Sequence, residues 1–156
     1  MYAWMKVLHI VAVVLFLGNI ITGVFWHRHA ARTRDPRLLA HTVEGVIRSD
    51  RLFTMPGVIV IIVTGVVAAM QAGLPLLRTG WILWSLVLFG ISGLLFMFQV
   101  APLQRKLHGL AQAGASQGSF DYHAYHRLAV RWEITGTIAT LTPLIALALM
   151  VLKPAL

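Results

Sequence analysis

Four long and nearly uninterrupted apolar stretches constrain this chain more than anything else in it. They run from Trp4 to Trp26, from Leu52 to Ala72, from Trp81 to Leu103 and from Trp132 to Leu152. A helix crossing bilayer hydrocarbon needs about 20 predominantly apolar residues, because no water there can satisfy an open backbone group. Each stretch meets that length. The composition agrees: of 156 residues 58% are apolar and 12% charged, and a mean hydropathy of +0.79 lies outside the range of water-soluble domains. The expected fold is therefore all-α, an antiparallel bundle of four transmembrane helices forming one domain over residues 1–156, with connections at 27–51 and 104–131. The first stretch has the position of a secretory signal. However, Lys6 lies inside it, and Arg28 stands where a small residue should precede cleavage at Ala30, so it reads as a retained span.

Basic residues orient the bundle. The connections after the first and third spans share one side and hold ten of the thirteen lysines and arginines. The other side holds only Lys6, Arg78 and Lys153. This asymmetry predicts that the long connections are cytoplasmic and both termini non-cytoplasmic, as in a multi-pass protein of the bacterial inner membrane. Tryptophans mark the same boundaries, because indoles favour the headgroup level: Trp4, Trp81 and Trp84 at one interface, Trp26 and Trp132 at the other.

The absence of cysteine excludes disulfides, thiolate metal sites and cysteine nucleophiles. A net charge of +8 and a pI near 11.2 suit anionic lipid headgroups in so apolar a chain, so the bilayer is the expected partner and nucleic acid is not. No Ser-His-Asp arrangement, P-loop or dinucleotide fingerprint is present.

In the first connection, Asp35-Pro36 predicts a helix start, with Leu39, Val43, Val46 and Ile47 on one face. In the second, residues 114–119 read as a flexible linker, after which Asp121 starts a helix that runs into the fourth span. Small residues at packing spacing, Gly65, Ala69 and Gly73 on span two and Gly136 and Thr140 on span four, predict close helix contacts. Ser85, Ser92 and Gln99, spaced by seven, predict a polar stripe facing protein.

Span one carries the most unusual face: His9, Ala12, Phe16, Asn19, Gly23 and Trp26 alternate steps of three and four. An imidazole at His9, about 7 Å below Trp4 at 1.5 Å per residue, is costly to leave facing lipid, and intramembrane ionisable groups point first to function. Short turns would gather Lys6, His9, Met70, Gln71, Trp84, Met150 and Lys153 at one end of the bundle. An imidazole with a thioether is an axial pair for haem iron, and lysines suit propionates. This constellation therefore suggests a haem b or porphyrin site with His9 on the iron, Met70 or Met150 opposite, and Lys6 and Lys153 at the propionates. The competing reading is a cofactor-free accessory or scaffold protein. In it His9 bonds a neighbouring helix, the lysines reach for the surface, the methionines fill gaps, and the partner is a second copy or another inner-membrane protein. A transporter would need more polar side chains at the bilayer midplane than Asn19, Thr64, Ser92 and the threonines of span four.

The other histidines, His27, His29, His41, His108, His123 and His126, read as solvated groups on the cytoplasmic side. Only His123 and His126, three apart, share a face for metal, too few ligands for zinc. Arg131 and Glu133 flank Trp132 and, two residues apart, must each find other partners, for which Asp50 and Arg51 are candidates.

Lys6-Val7-Leu8-His9-Ile10, Leu52 to Gly57 with Thr64-Gly65, Trp81 to Ser85 and Ala101 to Arg105 resemble the predicted integral membrane family called domain of unknown function 2269 over nearly the whole chain. A more distant resemblance joins Lys6, His9, Thr54 to Pro56, Thr64-Gly65, Lys153 and Pro154 to the HemJ type of membrane protoporphyrinogen oxidase, a four-helix haem-binding family. That resemblance implies His9 as a haem ligand. It departs at span three, where the oxidases carry histidine and lysine and residues 81–103 carry neither, so it does not carry porphyrinogen oxidation across.

Overall fold

A computed structural model describes residues 1–155 and shows, among them, helices and no strand. Helix α1 covers Tyr2–Ala31, α2 Pro36–Ser49, α3 Met55–Gln71, α4 Gly80–Leu95, α5 Ala101–Gln117 and α6 Tyr122–Leu152. A π-helical turn at Asp50–Thr54 joins α2 to α3, and another at Phe96–Val100 joins α4 to α5. The chain thus forms four continuous rods, Tyr2–Ala31, Pro36–Gln71, Gly80–Gln117 and Tyr122–Leu152, each long and apolar enough to cross a membrane.

All four rods outrun the expected spans at the basic end, where their extensions stay helical. Asp35 caps α2 by accepting from the Arg37 N–H, with Pro36 in the first turn, and Leu39, Val43 and Val46 are buried as the spacing predicts. Residues 114–117 of the expected linker belong instead to α5, which is capped by Gly118 in the left-handed conformation (φ 71°) that glycine adopts without strain. Within α5 the position of Gly114 needs glycine, because Phe120 folds back over it and a Cβ there would meet the Phe120 ring at 2.5 Å. The extensions pack into a core of Leu39, Val43, Leu107, Ala111, Tyr125 and Ala129, where burying each large apolar side chain contributes about 1.5–3 kcal/mol.

Within the apolar region the rods pair as two hairpins, α1 with α3 and α4 with α6, and the hairpins join chiefly at the basic end through α2 on α5. Pro143 explains part of the second pairing. It has no N–H to give the carbonyl four residues earlier, and the Ser92 hydroxyl donates to that carbonyl, Ala139 O, at 2.6 Å. Ser85 shares its hydrogen between Trp81 O (2.7 Å) and Ala146 O (3.2 Å). Gln99, expected on this stripe, is exposed, while Val100 and Gln104 are buried. The π-turn inserts an extra residue between Ser92 and Val100, which rotates the buried face by one position.

Candidate functional site

Because the hairpins meet mainly at one end, a cleft remains between them. Phe16 and Phe89, with ring centroids 5.7 Å apart, narrow it and divide two cavities that share Ile62 and Leu86. The cavity towards the chain termini measures about 480 Å³ and the one towards the basic end about 320 Å³, both within the range of small-molecule sites.

His9 lines the terminal-end cavity. Its Nδ1 lies 2.9 Å from Ile61 O and 3.2 Å from Thr64 Oγ1. A carbonyl only accepts, and the Thr64 hydroxyl hydrogen is already given to Val60 O, so Nδ1 must carry the proton. In the neutral imidazole the lone pair is then on Nε2, which makes no hydrogen bond among the described residues. The ring lies against Gly65, where an added Cβ would stand 3.0 Å from its Cε1. Span two therefore needs glycine here for the imidazole to reach Ile61.

Lys6, Met150 and Lys153 line the same cavity, with Trp81 and Ser85. Met70 does not: it is 67% exposed on the outer side of α3, one position round from buried Ala69, and Gln71 and Trp84 also face outward. The structure thus brings four of the five expected ligand-binding residues together. Lys6 Nζ sits 5.8 Å from the Tyr2 ring and Lys153 Nζ 5.6 Å from the Trp81 ring, and neither forms an ion pair among the described residues. Lys153 holds a left-handed backbone (φ 45°) at the end of α6, a conformation that costs a non-glycine residue about 1–3 kcal/mol.

The basic-end cavity holds a group that sequence reasoning placed elsewhere. Asp50, expected as a partner for Arg131, is 6% exposed and accepts three hydrogen bonds. These come from Gln104 Nε2 (2.8 Å), Thr54 Oγ1 (2.8 Å) and Asn19 Nδ2 (3.1 Å). Asn19 lies seven residues, about 10 Å of helix, inside Trp26, so the carboxylate is drawn well below the interface. The detectable signals were Asn19 on the polar face of span one and the Asp50 to Thr54 spacing of four.

Glu133 pairs instead with Arg28, whose Nε donates to Oε2 at 2.9 Å, and approaches His27 Nδ1 at 3.4 Å without hydrogen-bond alignment. His27 was expected to be solvated but is fully buried, with Nε2 3.0 Å from the Tyr125 hydroxyl and its ring 4.9 Å from that of Trp132. The adjacent carboxylate favours the proton on Nδ1, so the Tyr125 hydroxyl donates to Nε2. Trp26, expected on the inward face, points outward and His27 takes its place. No group of three or more metal-ligating side chains occurs among the described residues.

Comparison with known proteins agrees with the apolar architecture. The profile of the family described as predicted integral membrane protein (DUF2269) matches residues 3–154, and the chain belongs to that family. No curated protein and no solved structure matches it.

Proposed function

We propose that this integral membrane protein holds a b-type haem, or a porphyrin, in the terminal-end cavity, with His9 Nε2 as the axial ligand of the iron. The bond from Nδ1–H to Ile61 O carries this reading. A histidine that ligates a metal through one nitrogen is oriented by a hydrogen bond from the other, commonly to a backbone carbonyl. Lys6 and Lys153 would supply cations for propionates, and Met150 would offer a soft thioether donor from the facing hairpin. Span three offers no histidine or lysine, so the reading is one of binding and electron or porphyrin handling, without porphyrinogen oxidation. The orientation that accompanies it has the termini and this cavity on the non-cytoplasmic side of a bacterial inner membrane, from the bias of basic residues.

A second reading, a cofactor-free scaffold, draws on the same bond. His9 is satisfied by Ile61 O and ties α1 to α3, much as Ser92 ties α4 to α6. The two separate when protein expressed with haem supplied is purified. The haem reading predicts a Soret band that shifts on reduction and is lost in His9→Ala. Colourless protein, or a band unchanged by the substitution, would remove it.

A further inference from the structure

We propose that the basic-end cavity is a second, separate binding site, for a lipophilic ammonium ion whose charged head pairs with Asp50 and whose apolar remainder lies against Phe16, Phe89 and Phe96. The first observation is the uncompensated carboxylate. Asp50 is buried and hydrogen-bonded three times, yet no lysine, arginine or histidine lies within ion-pair distance among the described residues, and neighbouring Arg51 is exposed. Buried charges in proteins are otherwise paired.

The second observation is the polarity of the lining. Asn19 and Gln104 give their amide nitrogens to Asp50 or Thr54, which leaves Asn19 Oδ1 and Gln104 Oε1 without hydrogen-bond partners among the described residues, and both residues line the cavity. With Asp50 these are acceptors, so the polar end selects a donor and, given the carboxylate, a cation. The rest of the wall is apolar and aromatic, which favours a cation carrying hydrocarbon over a bare metal ion that needs six or more oxygens. The third observation is access. Met55, Ile62 and Met97 line the cavity and are also exposed on the outer surface, so the cleft opens sideways between the hairpins, where a ligand dissolved in lipid would enter.

The test uses purified full-length protein in detergent, with 4-phenylbutylammonium as probe and 4-phenylbutan-1-ol as its neutral counterpart, read by thermal unfolding. The ammonium should raise the midpoint saturably and the alcohol should not. Asp50→Asn should weaken the ammonium response at least tenfold. Gly136 lines this cavity and a Cβ there meets open space, so Gly136→Val should fill the site and weaken the response without loss of fold, which keeps the question decidable if Asp50→Asn does not fold. Equal responses to the two probes, or a Gly136→Val response equal to that of the wild type, would overturn the proposal. Since His9 lies in the other cavity, a negative result here leaves the haem reading standing, and the reverse also holds.

Discussion

Gln104 donates to Asp50 at 2.8 Å across 54 positions of sequence, and each residue lies in or just beyond one of the two π-helical turns. Asp50 keeps the helical spacing of buried Leu39, Val43 and Val46, and the extra residue of the second turn brings Gln104 round into the same cleft. π-turns inside helices are frequent at functional sites. Here they bring together two rods that otherwise pack in different hairpins.

Removing that donor should therefore be costly. Gln104→Leu leaves a buried carboxylate one hydrogen bond short, a loss of about 1–3 kcal/mol. Denaturant unfolding in detergent should show it, and an unchanged midpoint would mean that the network carries no stability. Gln104→Glu, which sets a second carboxyl beside Asp50, should be at least as harmful.

Gly65 holds His9 in place by lacking a Cβ. In Gly65→Ala the new methyl would stand 3.0 Å from Cε1, so the ring must tilt off Ile61 O, or α1 and α3 must separate. The expected cost is about 1–3 kcal/mol, with weaker haem retention than in a Gly57→Ala control, where the added Cβ meets Phe16 Cβ at an ordinary 3.7 Å. Equal retention in the two variants would show that the imidazole is not held by this contact.

Ser92→Ala tests how Pro143 is tolerated. Without the serine, Ala139 O keeps only the 3.2 Å contact from Thr142 Oγ1. Helix-to-helix hydrogen bonds in membranes contribute about 0.6 kcal/mol on average and up to about 1.7. A loss near the upper figure is expected, and Ser92→Ala combined with Pro143→Ala should recover most of it, since the alanine N–H then serves the same carbonyl. No recovery in the double variant would separate the two residues.

At the other end of α6, Asp121 caps the helix by accepting from the Ala124 N–H, and that bond holds its carboxyl below the ordinary aspartate range. A depressed folded-state pKa contributes stability that is present above the unfolded value, about 3.9, and is lost as pH falls through the folded value. The difference in midpoint between wild type and Asp121→Ala should therefore be largest near neutral pH and shrink below pH 4. A pH-independent difference would contradict the carboxylate as the cap.

Much of this architecture was legible in residue order. Apolar length set the four rods, Asp35-Pro36 announced α2, and the serine spacing found the face that packs on α6. The sites were legible only in part. His9, Lys6, Met150 and Lys153 converge as expected, because residues near the ends of antiparallel rods must meet. Met70 faces away because its rotation about α3 depends on how that rod docks. Gln99 is misplaced because helical periodicity assumes 3.6 residues per turn throughout, and the π-turn at Phe96–Val100 shifts the residues that follow. Asp50 keeps the spacing of Leu39, Val43 and Val46, and its inward direction is missed because a carboxylate there suggests an interfacial partner such as Arg131. His27 looked solvated because a charged flank suggested water, whereas the helical extensions cover it with Tyr125 and Trp132.

The most direct test of the central claim is imidazole rescue of His9→Gly. Haem-loaded wild type should show the optical spectrum of a histidine-ligated b-type centre. His9→Gly should lack it, and added imidazole should restore it in a saturable manner while leaving the wild type unchanged. A His9→Gly protein with the wild-type spectrum, or a wild type that takes up no haem, would contradict the account.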